Sequence, residues 1–285
     1  ATITNMNWSL VAFDNALEAA ENGNNAPLSA LFSLSPLTLD ASNATTGFAP
    51  QYLDIDVAGN ITLIGSDFND DLGGGNGNDL LNMGDGAGVA NGGAGEDTLS
   101  FIDATSGVSV WRQNGVVELE TNLVNFSEIE VFQGSQHADR FSIDGDGNRY
   151  LGEDGNDVFH LFLGINNEVD AGGGDDLIFV YSNSNSQISG GSGNDTFHVY
   201  AGQNRYEGEA GNDTIYLLNN EADELVFRAG DGADEVFGFQ SGSDRIELHG
   251  LSLGDLQISQ SNFLMLFKRV IKIKLASCFI SNIIF

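Results

Sequence analysis

Gly190-Gly191-Ser192-Gly193-Asn194-Asp195 is the clearest of several six-residue segments that recur on a nine-residue beat. Upstream, Gly74-Gly75-Asn76-Gly77-Asn78-Asp79 is followed two units later by Gly92-Gly93-Ala94-Gly95-Glu96-Asp97, and Asp70 lies one unit before Asp79. Leu72, Leu81 and Leu99 stand two places after these acids, so the unit reads G-G-x-G-x-D-x-U-x with U apolar. The unit between them, Met83 to Asn91, has Gly88 where the acid would be. A second block starts at Gly134 and carries Asp139, Asp157, Asp176, Asp195 and Asp213 at spacings of 18, 19, 19 and 18, continued less regularly by Asp234.

Glycine pairs permit the positive φ angles and close backbone approach of a tight corner, and leave carbonyl oxygens free to converge. The D-x-U-x that follows is a short strand whose alternate side chains face opposite sides, so U points into a narrow core. Two turns and two strands make a flattened coil, and parallel coils stack about 4.8 Å apart. The expected fold is therefore all-β: a parallel β-roll, a right-handed β-helix or solenoid of two-strand coils. Five segments are expected: an N-terminal mixed segment or cap (1–60), a first repeat block (61–100), a strand-rich interruption that stays in the stack without ions (101–133), a second repeat block (134–250) and an atypical C-terminal cap or tail (251–285).

One acid per coil stacks like charges, which repel by about 1 kcal/mol in water at 4 Å and by more where solvent is excluded. Hard divalent cations that accept carboxylate and carbonyl oxygens relieve this, and calcium tolerates irregular geometry better than magnesium. Zinc and copper prefer the imidazole and thiolate that these turns lack. The candidate ligands are the carboxylates of Asp70, Asp79, Asp97, Asp139, Asp157, Asp176, Asp195, Asp213 and Asp234. The turn backbone at Gly75, Gly77, Gly93, Gly95, Gly155, Gly172, Gly174, Gly191, Gly193, Gly211, Gly230 and Gly232 completes the set.

With glycine pair, acid and apolar residue in register over residues 65–100 and 134–250, the chain resembles the hemolysin-type calcium-binding repeat proteins, the RTX family, whose nonapeptide forms a calcium-binding parallel β-helix. The resemblance implies several bound calcium ions, an extracellular address and export by type I secretion through an uncleaved C-terminal signal.

Half a coil away from the acids, the second block carries Asn148, Asn167, Ser186 and Asn204. The expectation is a calcium column on one edge and a neutral amide ladder on the other. In the first block the column should lie between the turns of Asp79 and Asp97, with Asp70 on the other edge facing Gly88.

Strands after the acids place Phe159/Leu161, Ile178/Val180, Phe197/Val199 and Ile215/Leu217 inward. Outward, His160, Phe179, His198 and Tyr216 form one ladder, and Phe162, Tyr181, Tyr200 and Leu218 another. Same-face stacking or cover from another segment explains such a row; a flat face for a glycan or a second protein chain is the alternative.

There are 41 acids against 10 bases, a net charge of −31, which argues against nucleic acid or an anionic membrane as partner. Such a chain without cations is expected to be expanded, and its folding to be coupled to ion binding. Lone Cys278 allows no internal disulfide, and Ala1 opens without the basic and apolar regions of a signal peptide. Trp8 to Ala20 could form a short helix and Tyr52 to Ile64 a strand pair. The tail gathers Lys268, Arg269, Lys272 and Lys274 after the last acid, Asp255. These charges exclude a membrane span; Ile271 to Leu275 alternates like an edge strand, and the tail departs from the family's closing coils.

No H-E-x-x-H or G-x-S-x-G is present, so no enzyme is expected. The reading is a secreted calcium-binding module with a structural, secretion or surface-interaction role. The alternative is the C-terminal part of a polysaccharide-modifying or other secreted enzyme, against which the sixty residues before the first repeat are too few for a catalytic domain.

Overall fold

A computed structural model describes residues 2–4, 37–44, 59–120, 122–240, 242–252, 255–260, 271–275 and 283–284. The expected helix at Trp8 to Ala20 and the first part of the Tyr52 to Ile64 strand pair lie outside the described residues. Among the described residues every long element is a strand, and the strands form a parallel β-solenoid of the β-roll kind. The chain divides into two compact units, Ala1–Val108 with Asn114–Gln136, and Ser109–Gln113 with His137–Phe285.

In the first unit, Leu37–Asp40, Ile61–Ile64, Leu80–Asn82, Thr98–Ser100 and Val131–Gln133 pair in parallel on one side. Asp70–Asn76, Gly88–Ala94 and Leu123–Ser127 do so on the other. The interruption is not wholly parallel: Val116–Glu118 turns back and pairs antiparallel with Leu123–Ser127. A short connection such as residues 119–122 permits only that reversal, since a parallel return needs a crossover of a dozen residues or more.

The second unit stacks Arg149–Leu151, Glu168–Asp170, Gln187–Ser192, Arg205–Ala210, Glu224–Arg228 and Arg245–His249 on one side. Opposite lie Arg140–Asp144, Val158–Ile165, Leu177–Val180, Thr196–Val199, Thr214–Leu217 and Glu235–Phe239. Every pair is parallel, with Phe159 beside Ile178, Ile178 beside Phe197 and Phe197 beside Ile215, and the register shifts only between Ile143 and Asp144 where Arg140–Asp144 meets Val158–Ile165. All eight inward positions named above are buried, as are Tyr150, Val169, Ile188, Tyr206 and Leu225 on the facing sheet, and Phe197 meets Tyr206 edge to face. Ile271–Leu275 is a strand, but not at an edge: Leu256–Gln260 pairs with it on one side and Glu235–Phe239 on the other. Sequence alternation records which side chains face inward, not how many neighbours a strand has.

The corners explain the glycines. Gly174 sits at φ 129°, and a Cβ there would come within 1.5 Å of the Gly155 carbonyl oxygen in the coil below. Where the second glycine of the turn is replaced, the backbone stays left-handed: Glu153 and Glu209 have φ of 72° and 65°. Those residues bear a conformational cost that stacking on both sides imposes.

Candidate metal centre

The acids at the turn ends share one arrangement, in which neighbouring coils are tied through one carboxylate oxygen. The Asp139 N–H donates to Oδ1 of Asp157 at 2.7 Å, that of Asp157 to Asp176 at 2.7 Å, that of Asp176 to Asp195 at 2.8 Å, and that of Asp195 to Asp213 at 2.8 Å. Asp213 donates in turn to Asp234 at 3.0 Å. In the first unit Ile61 donates to Asp79 and Asp79 to Asp97, both at 2.8 Å.

The second oxygen has no such use. Oδ2 of Asp79, Asp97, Asp157, Asp176, Asp195 and Asp213 is buried and accepts no hydrogen bond from the protein. It lies over the first glycine of its own turn. A Cβ on Gly74, Gly92, Gly152, Gly190 or Gly208 would come within 2.2–2.6 Å of that oxygen. Ala171 holds the equivalent place before Asp176. These first glycines were not among the residues picked out from sequence, which emphasised the second and fourth places for their backbone.

Burial without a countercharge disfavours the ionised form. It pushes Asp157 up to about 8, Asp176 to about 7, and Asp97 and Asp195 to about 6; the backbone N–H donated to each opposes the shift, and neighbouring carboxylates add to it. Asp79 moves up for the same first reason, as do Asp213, to which the Asp234 and Asp195 charges add, and Asp234, to which the Asp231 charge adds.

The opposite edge of the second unit satisfies itself. Asn148 donates its N–H to Asn167 Oδ1 at 2.9 Å, Asn167 to Ser186 Oγ at 2.9 Å, and Ser186 to Asn204 Oδ1 at 3.0 Å. The ladder then runs into acids that the spacing argument overlooked, Asn204 donating to Asp223 at 3.2 Å and Asp223 to Asp244 at 3.3 Å. Here Oδ2 is filled by the chain: Asn219 Nδ2 reaches Asp223 at 3.0 Å, and the Gln240 N–H reaches Asp244 at 2.7 Å. Burial still lifts Asp223 to about 7 against the hydrogen bond from Asn219. Asp70 belongs with this group, since its Oδ2 accepts the Ser66 N–H at 2.7 Å and its Oδ1 the Ser66 hydroxyl at 3.0 Å.

A third ladder went unread from sequence. At the fifth turn position Asn156 Oδ1 accepts the Asp175 N–H, Asp175 that of Asn194, Asn194 that of Asn212 and Asn212 that of Ala233, at 2.7–3.1 Å. It runs opposite in sense to the Asp ladder, so each acid-edge turn is fixed to both neighbours. The recurrence of Asn or Asp just before the acid was the available signal.

Among the described residues no three His, Cys, Asp or Glu side chains converge on one point. An ion at the acid edge would therefore take an Oδ2 and draw its remaining ligands from turn carbonyls, a donor set of hard oxygens that suits calcium. The imidazoles of His160 and His198 are elsewhere, stacked on Phe179 at 4.9 and 5.1 Å.

Residues 180–215 match the family model of the RTX calcium-binding nonapeptide repeat in four copies. No curated protein matches the chain. Among solved structures, the extracellular lipase LipA from Serratia marcescens aligns at 18% identity with a TM-score of 0.25, over 69% of this chain and 32% of the lipase. The chain thus spans about a third of the length of that lipase, at a similarity too low to bear on its activity.

Proposed function

We propose that the chain, which carries RTX calcium-binding nonapeptide repeats over residues 180–215, is a secreted calcium-binding β-roll module whose folding is coupled to the ion. The observation that supports this reading most is the set of six buried Oδ2 atoms without a protein donor. Leaving a buried acceptor unsatisfied costs about 1–3 kcal/mol, and more when it is charged, so two in register in the first unit and four in the second favour a cation. The ions are assigned to Asp79, Asp97, Asp157, Asp176, Asp195 and Asp213 with the carbonyl oxygens of their glycine turns. Asp139 and Asp234 close the second-unit column at its ends. Asp70, Asp223 and Asp244, whose Oδ2 atoms accept chain donors, are left out.

The cation would supply charge neutralisation and a bridge between coils; the residues do the rest. Oδ1 sets coil register through the next N–H, and the glycines leave room for Oδ2. An extracellular address agrees with this chemistry, because calcium is abundant there, and the role is structural: a stack rigid with calcium and expanded without it. Equilibrium dialysis tests the ion. Several calcium ions per chain should be retained in the presence of a similar concentration of magnesium. Retention of none, or equal retention of both ions, contradicts the reading.

A further inference from the structure

We propose that the strand Ile271–Leu275 is displaceable: it is lodged in the place that the coil order of the second unit gives to Leu256–Gln260, and the two segments exchange there. From Arg140–Asp144 to Glu235–Phe239 each strand of this sheet pairs with the strand one coil later. In the last such coil Thr214 is the register partner of Glu235, and on the facing sheet Glu224 is that of Arg245, 21 residues apart in both. Beside Glu235–Phe239 the order breaks. The partner of Glu235 is Lys272, 37 residues on, whereas Gln257, the partner of Lys272 on its far side, is only 22 residues on. Leu256–Gln260 thus arrives after a coil of nearly ordinary length and finds its place taken.

The chain leaves the stack just before this point. His249 still accepts the Ala229 N–H at 2.9 Å, and a Cβ on Gly250 would lie 3.3 Å from that of Ala229. Beyond Gly250 a cleft of about 430 Å³ opens, lined by the turn from Arg228 to Asp234 and by Leu251 and Asp255. Lower turns leave no such space, since a Cβ on Gly193 or Gly232 would come within 1.9 Å of a carbonyl oxygen in the adjoining coil. Asp255 accepts the Ser252 N–H at 2.9 Å and its hydroxyl at 2.7 Å, within its own turn, whereas Asp234 accepts the N–H of Asp213 from the adjoining coil at 3.0 Å. The lodged strand also fits imperfectly: its register slips between Phe237 and Phe239.

Exchange needs no change of register. Glu235, Lys272 and Gln257 share one column, as do Val236, Ile273 and Ile258. Withdrawing the middle strand and moving Leu256–Gln260 across by one strand spacing, about 4.8 Å, sets Gln257 beside Glu235 and Ile258 beside Val236. The same step carries Leu251 and Asp255 towards the open turn and closes the cleft. One arrangement has two strand pairings and a cleft; the other has one pairing and a closed coil, with 271–275 released. Such a pair of arrangements is a switch, and whatever binds one of them better sets its position.

Disulfide trapping in the calcium-loaded full chain, with Cys278→Ser as background, separates the two. Adjacent parallel strands bring paired Cα atoms about 4.8 Å apart, within the roughly 4.4–6.8 Å that a disulfide spans, while strands with one between them lie about 9.6 Å apart, beyond it. Glu235→Cys with Lys272→Cys reports the lodged strand, and Glu235→Cys with Gln257→Cys reports the exchange. In a glutathione redox buffer both pairs should close, as read by the mass of the linked peptides. Closure of the first pair alone, with circular dichroism showing the second variant folded, overturns the proposal; so does closure of the second alone. Hydrogen exchange in the unaltered chain supplies a reading that no substitution can disturb. An outermost strand ordinarily frays before the strand it covers, yet the amides of 256–260, which keep a partner in both arrangements, should outlast those of 271–275. The reverse order, or equal rates, overturns the exchange.

Discussion

In excess chelator at pH 8 the chain should lose most of its β circular dichroism, and restoring calcium should bring it back in one cooperative transition. The six orphaned Oδ2 atoms at about 1–3 kcal/mol each amount to as much as the ~5–15 kcal/mol that stabilises an ordinary domain, so the fold should not stand without the ion. Acid should partly replace calcium. Burial lifts Asp157 to about 8, Asp176 to about 7 and Asp195 to about 6, from an ordinary 3.8. Between these values and 3.8 the folded chain binds more protons than the unfolded one, so the stability of the cation-free fold falls as pH rises across that window and is greatest below it. Chelated protein should therefore regain β structure as pH is lowered from 8 towards 5, while calcium, which competes with those protons, should bind more weakly over the same range. A spectrum indifferent to chelator at pH 8 sinks the coupling.

Asp176→Asn should shift stability in opposite directions with and without calcium. The amide keeps an oxygen for the Asp157 N–H, which Asp176 now accepts at 2.7 Å, so the ladder survives. What disappears is one buried charge. Without calcium the variant should be more stable than the parent, by about 2 kcal/mol at pH 8, because the cost of burying that charge is removed. With calcium it should be less stable, and the calcium midpoint for folding should rise severalfold, since the coil loses a charged ligand. The pH at which chelated protein regains β structure, expected to be higher for the variant, and chemical denaturation in calcium read both signs. Destabilisation under both conditions would make Asp176 a packing residue rather than a ligand.

Much of this was legible in the sequence because the repeat is itself the physics. A nine-residue beat with U two places after the acid fixes the coil, and Phe159, Ile178, Phe197 and Ile215 are buried where the alternation puts them. Neutral Asn148, Asn167 and Ser186 half a coil from the acids were equally visible, and their ladder hydrogen bonds are of the kind that amides and hydroxyls can make. Oxygen-level detail was not. Whether a carboxylate has one oxygen to spare depends on a donor that spacing does not reveal: Ser66 for Asp70 and Asn219 for Asp223. Asp223 also escaped notice because its turn, Asn219-Asn220-Glu221-Ala222-Asp223, has lost the glycines that mark the motif. The antiparallel detour at Val116–Glu118 and the two-sided pairing of Ile271–Leu275 rest on contacts with other strands. A local pattern of alternating residues is the same in either case.

The one-edged column is tested most directly by anomalous scattering from crystals grown with calcium. The structure should give peaks beside Oδ2 of Asp79, Asp97, Asp157, Asp176, Asp195 and Asp213, the oxygens that no protein group fills, and none beside Asn148, Asn167, Ser186 and Asn204. Peaks of equal number on both edges of the second unit, or an acid edge without any, would contradict it.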